Sequence, residues 1–203
     1  MTGEPLPAFR DDLKLTLAEC WRLLQEGAAS RHSAFHVPTV ATLDEQGLPE
    51  LRTMVLRAAE PERRLLRFHT DRRSAKIAQV ARSPSGAIHI YDKPSGIQLR
   101  LAASLSIEME GDEVNAAWAA SRSFSRICYR VTAAPGAEVE HPEDVAFDHG
   151  AADEGRSQFC ILLARIHRIE WLHLAHAGHR RAIFEVDDKD AGKPEWKGRW
   201  LVP

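Results

Sequence analysis

Short segments with the residue alternation of β-strands follow one another along most of this chain, separated by turns of a few residues. Residues 87–91 (AIHIY) and 97–109 (IQLRLAASLSIEM) alternate apolar and polar side chains, and KPSG at 93–96 is the turn between them. The same pattern predicts further strands at residues 34–43, 51–56, 64–69, 159–174, 181–186 and 196–202. Connections this short join antiparallel neighbours. We therefore predict a mainly β fold, an antiparallel barrel or sandwich with a few short helices.

Three helices are predicted among these strands. Apolar residues recur every three or four positions over 9–25, and Gly27 is the predicted stop of that helix. A second helix spans 74–81, with Ser74 suited to cap its start, and a third spans 112–122. The chain has neither a G-x-G-x-x-G nor a G-x-x-x-x-G-K-[ST] loop and no strand–helix–strand rhythm, which disfavours a parallel-sheet nucleotide-binding domain. Residues 133–157 lack periodicity and predict a long irregular connection.

Size and charge narrow the class of protein further. A chain of 203 residues suits one compact domain, predicted here over residues 1–203, and its 44% of hydrophobic residues suffices for a packed core. The net charge of −2 gives no overall attraction to nucleic acid or to an anionic membrane, so any anion site must be local. No run approaches the about 20 apolar residues of a membrane helix, and the first residues lack the apolar region of a secretory signal. We expect a cytoplasmic protein with neither nucleic-acid nor membrane partners.

The cysteines offer no obvious chemistry. Cys20, Cys128 and Cys160 are odd in number and far apart, which disfavours a disulfide framework or a paired-cysteine zinc site. We predict free thiols that are buried or half-buried. No G-x-S-x-G elbow or cysteine-centred signature is present, so a nucleophilic hydrolase is not supported.

Basic residues gather at two places that folding could bring together. Arg52 lies at the start of a predicted strand, and Arg72, Arg73, Ser74 and Lys76 surround the start of the second predicted helix. Helix N-terminal amides, a hydroxyl group and two or more cations are what a phosphate monoester needs, because each supplies a donor or a compensating charge. The alternative is a solvated basic turn, and composition alone favours it because surface Arg and Lys are ordinary.

Two other groups of side chains attract attention. His173, His176 and His179 surround a predicted turn, but His173 and His176 would point to opposite faces of a strand, which disfavours a metal site. They are expected on a hairpin rim or beside a ligand. Trp118 and Arg122, four residues apart, predict a cation–π pair or a pocket wall, with simple helix packing as the alternative.

The order of five short motifs is more informative than any one of them. They are RTMVLR at 52–57, FHTD at 68–71, SAK at 74–76, IQLRLAA at 97–103 and HRRAIF at 179–184. In this order they resemble the pyridoxamine 5′-phosphate oxidase family, over roughly residues 33–109 and more loosely over 159–203. The resemblance implies an FMN-binding split β-barrel, usually a homodimer with two flavin sites at the subunit interface.

The resemblance also implies which residues bind the cofactor. Arg52, Ser74 and Lys76 would hold the FMN phosphate. Main-chain groups of residues 54–56 would face the isoalloxazine ring, with further contacts from the pocket wall and from two later positions. The full implied set is Arg52, Thr53, Met54, Val55, Leu56, His69, Thr70, Ser74, Lys76, Gln98 and Arg181.

The substrate side departs from the oxidase itself. Arg57, Arg122 and His179 match residues that grip the pyridoxamine phosphate in the oxidase, whereas Trp118 replaces a tyrosine and Ala177 an arginine. The resemblance therefore favours a relative of the oxidase with a different substrate.

From these observations we predict an FMN-dependent oxidoreductase of unknown substrate, in which the flavin carries the redox chemistry and the protein supplies binding and orientation. An anionic or polar small molecule is the expected substrate. Two alternatives stay open. One is a non-enzymatic flavin- or heme-binding or sensing protein, with histidines near His176 contributing, and the other is a true pyridoxamine 5′-phosphate oxidase.

Overall fold

The computed structural model describes residues 7–150, 154–187 and 195–203. Its strands are β1 (Thr39–Leu43), β2 (Pro49–Thr53), β3 (Leu56–Glu60), β4 (Leu65–Asp71), β5 (Ser85–Asp92), β6 (Ile97–Glu108), β7 (Phe159–His173), β8 (Arg180–Asp187) and β9 (Glu195–Leu201). Its α-helices are α1 (Leu13–Ala29), α2 (Ala75–Arg82), α3 (Asp112–Ala119) and α4 (Ser123–Arg126). Short 3-10 helices lie at Ala8–Asp11, Ala34–His36, Pro61–Arg63, Ile127–Arg130, Pro142–Asp144 and Arg156–Gln158. The predicted mainly β fold is confirmed.

The sheet closes on itself because of a two-residue link. All strand pairs are antiparallel, in the order β2-β1-β5-β6-β7-β4-β3, with β8 and β9 extending from β7. The end strands β2 and β3 are consecutive in the chain, joined only by Met54 and Val55. Thr53 and Leu56 can therefore be at most about 11 Å apart. A sheet whose two ends must meet this closely is curled into a barrel, which is the split β-barrel that the resemblance implied.

This link corrects one strand prediction. Residues 51–56 do not form one strand, because the chain leaves β2 after Thr53 and enters β3 at Leu56. Between them the Met54 amide donates a 3.0 Å hydrogen bond to the Pro38 carbonyl, outside either ladder. Alternation alone could not show the break, since Met54 and Leu56 are both buried as in a continuous strand.

Helix α1 covers the barrel with an apolar face that includes Cys20, Trp21 and Leu24. The Asp12 carboxylate caps its start by accepting from the Leu15 amide at 2.9 Å, so the helix begins later than predicted. Gly27, predicted as the stop, is buried within the helix, where a Cβ would overlap the backbone of Phe35. The glycine permits close packing rather than ending the helix.

A second apolar cluster lies on the outer side of β4 and β7, beneath α3. It contains Val114 and Ala117 of α3 together with Leu65, Tyr129, Phe159, Ile161 and Leu163. Helix α3 ends at Ala119, three residues earlier than predicted. The predicted strand at 34–43 is also shorter, since a 3-10 turn precedes β1. The described part of 133–157 contains two 3-10 turns and an isolated β-bridge from Phe147 to Val131, and is otherwise irregular, as predicted, with residues 151–153 outside the described residues.

The three cysteines are free thiols, as predicted. Cys20 and Cys160 are buried, but Cys128, predicted to be at least half-buried, is exposed. It lies on the 3-10 turn at Ile127–Arg130, where the neighbouring Tyr129 takes the buried position.

Candidate functional site

Two of the predicted phosphate-binding residues meet at the start of α2. The Lys76 ammonium donates to the hydroxyl oxygens of Thr70 at 3.1 Å and Ser74 at 2.9 Å. Both hydroxyls are buried. Ser74 occupies the N-cap position, but its hydroxyl donates to the Asp71 carbonyl at 2.7 Å and does not cap the helix, contrary to the prediction. The hydroxyl instead helps to position the ammonium group of Lys76.

Arg52 reaches the same region from β2. Its partner across the ladder is the buried Val40, so its side chain lies on the inner face of the barrel. Its guanidinium donates to the Glu50 carbonyl at 2.8 Å, to the Glu50 carboxylate at 2.9 Å and to the Thr42 hydroxyl. A longer contact of 3.3 Å reaches the side-chain oxygen of Gln79.

Sequence reasoning missed three members of this network. Thr42 and Glu50 face each other across the β1–β2 ladder, and Gln79 projects from α2. The Gln79 amide donates to the Glu50 carboxylate at 2.8 Å, and its oxygen accepts from the Thr42 hydroxyl at 2.5 Å. A polar residue at a buried helix position such as Gln79 is a usable signal, because buried polar groups need partners.

The two cations influence each other. Burial lowers the pKa of the Lys76 ammonium, and the nearby positive charge of Arg52 lowers it further. No carboxylate in the part of the chain that the structure describes lies within ion-pair distance of Lys76. The site therefore places an under-compensated ammonium beside an arginine, which is the electrostatic condition for binding a dianion.

Arg72 and Arg73, the other two arginines near the start of α2, form contacts with loop residues instead. Arg73 forms an ion pair with Asp71 at 2.7 Å and donates to the carbonyls of Val131 and Thr132. Arg72 donates to the Ser157 carbonyl at 3.3 Å. Of the basic residues singled out around α2 and β2, Arg52 is the one whose charge acts on Lys76.

A cavity of about 830 Å³ opens between the end of α1, strands β3 and β4, and the end of α3. It brings together four predicted site residues, Val55, Arg57, His69 and Arg122. Arg57 lies where the β3–β4 register shifts, between Leu56 and Ala58. A bulge of this kind re-aims a side chain. The cavity is also lined by Arg31, His32, His36 and Arg67, which sequence reasoning did not single out.

The His69 imidazole, which lines this cavity, is uncharged at neutral pH. Burial, followed by the charges of Arg57 and Arg67, lowers its pKa to about 4. Its Nε2 atom is buried with no hydrogen-bond partner among the described residues, and its ring packs edge-on against Phe159 at 4.9 Å. At neutral pH this imidazole can offer a hydrogen bond to a bound molecule without adding charge.

The remaining predicted site residues lie elsewhere in the chain. Gln98 and Arg181 both face Leu172 near the far end of β7, whereas Thr70 faces Cys160 near its beginning. Twelve residues of strand separate Cys160 from Leu172, which is about 40 Å along a straight strand. The two groups therefore lie beside opposite ends of β7.

This distant group has a pocket of its own. Arg181 pairs with Glu170 at 2.8 Å, and the pocket of about 530 Å³ beside it is also lined by His179 and Trp200. Gln98 contacts the His89 ring at 3.2 Å. Thr53, another implied flavin contact, lies on β2 with its side chain exposed. Only its main chain could therefore contact a flavin bound beside Arg52.

Trp118 and Arg122 do not form a cation–π pair, although Arg122 lines the cavity wall. Arg122 lies beyond the end of α3, and the guanidinium over the Trp118 ring is that of Arg126, 4.6 Å from the ring centroid. Arg126 also pairs with Glu154 at 2.8 Å. Trp118 packs against Tyr129 and Phe159 and is not among the residues that line the cavity.

The three histidines near the β7–β8 turn do not converge. His173 is buried against Phe9 and Trp171, whereas His176 and His179 are exposed. Within residues 7–150, 154–187 and 195–203, no three His, Cys, Asp or Glu side chains are grouped as a metal site would require. None of the helices in those ranges is long and apolar enough to cross a membrane.

Comparison with known proteins identifies relatives of this chain. Residues 18–108 match the family described as pyridoxamine 5′-phosphate oxidase, FMN-binding domain. The chain is 29% identical to the pyridoxine/pyridoxamine 5′-phosphate oxidase of Roseobacter denitrificans over 119 residues, 59% of this chain and 57% of that protein. It is 23% identical to pyridoxine/pyridoxamine 5′-phosphate oxidase 2 of Arabidopsis thaliana over 196 residues, 90% of this chain and 96% of that protein.

Solved structures share the fold. One is a pyridoxamine 5′-phosphate oxidase-related, FMN-binding protein of Nostoc punctiforme, with a TM-score of 0.71, 22% identity and coverage of 98% of this chain and 100% of that chain. Another is PhzG of Burkholderia lata in complex with tetrahydrophenazine-1-carboxylic acid, with a TM-score of 0.72, 18% identity and coverage of 98% of both chains. The family resemblance and the split-barrel fold predicted from the sequence are confirmed.

The low pKa of His69 gives a direct test of the cavity's electrostatics. We expect the imidazole of His69 to titrate near pH 4, followed by NMR of histidine-labelled protein, with the signal assigned by its loss in His69→Gln. Because the pKa in the folded protein lies below the unfolded value of about 6.5, the unfolded chain takes up the proton first as the pH falls. The contribution of His69 to stability is therefore present above pH 6.5 and is lost as the pH falls towards 4. Titration of this signal near pH 6.5 would contradict the burial of the ring between two arginines.

Proposed function

We propose that this chain, a relative of the pyridoxamine 5′-phosphate oxidase-like FMN-binding split-barrel proteins, binds FMN and acts as an FMN-dependent oxidoreductase on a small anionic molecule. The observation that supports this most strongly is that Lys76 donates to the buried hydroxyls of Thr70 and Ser74 while the positive charge of Arg52 acts on the same ammonium from β2. This cluster lies within the region that matches the FMN-binding domain family.

The chemistry of the cluster fits a phosphate monoester. A dianion beside Lys76 would stabilise the ammonium that burial and Arg52 destabilise. The Ser74 and Thr70 hydroxyls are already turned towards the ammonium, and the first turn of α2 supplies helix N-terminal amides to the same place. Arg52 would add charge-assisted bonds from the opposite side.

Glu50 opposes this arrangement. Its carboxylate accepts from Arg52 at 2.9 Å and from the Gln79 amide at 2.8 Å, and its main-chain carbonyl accepts a second Arg52 bond at 2.8 Å. A phosphate group would have to compete with it for the guanidinium. Because the Glu50 side chain is half exposed, it can turn towards solvent when a stronger anion arrives.

The flavin, when bound, supplies the redox chemistry, and the chain supplies binding and orientation. The Met54–Val55 link and the start of β3 would present main-chain groups to the ring. Val55 and the neutral His69 would lie beside the flavin ring. Arg57 and Arg122 would bind an anionic substrate in the adjoining cavity. No side chain is required as a nucleophile.

A second copy of the chain would complete the site. Gln98 and Arg181 lie beside the opposite end of β7 from Thr70, the contact of Lys76, which supports a site shared between two chains, and His179 lines the same pocket as Arg181. We propose a homodimer in which one protomer supplies the phosphate cluster and its partner supplies these three residues. The extent of the single domain over 1–203 and the cytoplasmic location stay predictions.

The substrate is proposed to differ from pyridoxamine phosphate. Trp118, which stands in the position of the oxidase tyrosine, packs with Tyr129 and Phe159 and leaves the cavity wall to other residues. Ala177 cannot replace the charge of the oxidase arginine. These two positions support a relative with a different specificity.

The phosphate assignment is tested by a double substitution. We expect Arg52→Ala with Lys76→Ala to weaken FMN binding at least about 100-fold and riboflavin binding only slightly, because each charge-assisted hydrogen bond contributes about 1.5–3 kcal/mol. Calorimetric titration with both ligands measures the difference. The matched control is Arg82→Ala with Lys93→Ala, which removes the same charge away from the cluster. Equal losses for FMN and riboflavin would place the phosphate elsewhere.

The role of Glu50 has a separate test. Glu50→Gln removes the carboxylate that competes for Arg52, and we expect FMN affinity to rise about two- to fivefold, the size of an exposed charge interaction. Riboflavin affinity is expected to stay unchanged. Glu45→Gln on the neighbouring turn changes the net charge equally and serves as control. A fall in FMN affinity in Glu50→Gln would show that the carboxylate positions Arg52 instead.

A further inference from the structure

We propose that the cavity binds a substrate carrying two separated anionic groups, and that Arg67 is the residue that binds the second group. The inference rests on the proposed function and names its substrate class. Arg67 was not among the residues that the family resemblance singled out, so the assignment is drawn from the structure of this chain.

Arg67 lies on the cavity side of β4. Arg67 and His69 alternate on the strand and so project from the same face, whereas Phe68 and Thr70 point into the barrel. Both Arg67 and His69 line the cavity. The position of Arg67 is therefore fixed by a central strand and not by a mobile loop.

The guanidinium of Arg67 lacks good partners. Its Nη1 atom contacts the Glu113 carboxylate at the long distance of 3.4 Å. Its Nε atom is buried with no hydrogen-bond partner in the described parts of the chain. Glu113 also contacts the exposed Arg63 at 3.5 Å, so its charge is shared. A buried donor without a partner is costly, and an anionic group in the cavity would offset that cost by binding the part of the guanidinium that lines the cavity.

The charge of the cavity wall requires more than one negative group. Arg31, Arg57, Arg67 and Arg122 all line it, and no aspartate or glutamate is among the lining residues. His69 is uncharged at neutral pH and compensates none of them. The chain as a whole has a net charge of −2, so this concentration of arginine is local.

The arginines come from two sides of the cavity. Arg57 and Arg67 lie beside each other on the paired strands β3 and β4, while Arg122 follows α3 beside Ser121 and Ser125. A volume of about 830 Å³ is within the range of small-molecule sites. One anionic group between Arg57 and Arg122 leaves Arg67 for a second group on the same molecule, as in an aromatic dicarboxylate.

The test compares carboxylate probes by calorimetry at low ionic strength, on FMN-loaded and FMN-free protein. We expect benzene-1,3-dicarboxylate or benzene-1,4-dicarboxylate to bind the wild type at least about tenfold more tightly than benzoate. Arg67→Gln is expected to abolish that preference while leaving benzoate binding within about twofold. Arg67→Lys should restore part of it, since a cation is retained.

Arg63→Gln is the matched control. It removes the other partner of Glu113 and the same charge, but Arg63 is exposed and lies outside the cavity wall. We expect it to leave the preference for dicarboxylates intact. Equal effects of Arg63→Gln and Arg67→Gln, or equal binding of benzoate and the dicarboxylates to the wild type, would overturn the proposal.

The same samples separate this inference from the proposed function. FMN uptake without a preference for dicarboxylates overturns the role of Arg67 alone. A preference that depends on Arg67 in protein that takes up no FMN supports the role of Arg67 and contradicts the flavin proposal. Thermal unfolding of each variant shows whether that variant is folded. If Arg67→Gln is unfolded, the proposal is judged on Arg67→Lys, which retains a cation.

Discussion

The two-residue link between β2 and β3 is the constraint on which the rest of the structure depends. Met54 and Val55 join strands that lie at opposite ends of the sheet order, so the sheet must curl until its ends meet. Closure places the inner face of β2, with Arg52, beside the start of α2, with Lys76. It also leaves main-chain groups outside the ladders at the link, next to the cavity. The candidate cofactor site is thus a consequence of how the barrel closes.

The site contains positive charges that are only partly compensated, and a bound anion would compensate them. Lys76 is partly buried against hydroxyls and near another cation, and the partly buried Arg67 has one long contact to a carboxylate. A bound anion would make both arrangements more favourable, because it compensates the partly buried positive charges. Thr70, which contacts Lys76, points into the barrel, whereas Arg67 lies on the opposite face of β4. An FMN phosphate at Lys76 and a substrate group at Arg67 would therefore lie on different sides of this strand. Glu50 moderates the first of them by occupying Arg52.

Local pattern predicted the strands, most turns and the short helix after β4, because alternation, turn residues and periodicity act over a few residues. It did not predict the break at Met54–Val55, which depends on where the sheet closes. The close packing of Gly27 could not be predicted for the same reason, since it depends on the distant backbone of Phe35. The order of the motifs placed Ser74 and Lys76 together, as the structure does, and the charge of Arg52 acts on the same ammonium. It could not show the separation of Gln98 and Arg181, nor that Arg126 replaces Arg122 over Trp118.

The most direct test of the central claim, that the closed barrel builds an FMN site, is the visible absorbance spectrum of the purified protein before and after addition of FMN and removal of the unbound flavin. We expect the spectrum of a protein-bound oxidised flavin, retained in a fixed ratio to the chain. A protein that stays colourless after loading, or that shows the Soret band of a bound heme instead, would contradict the account.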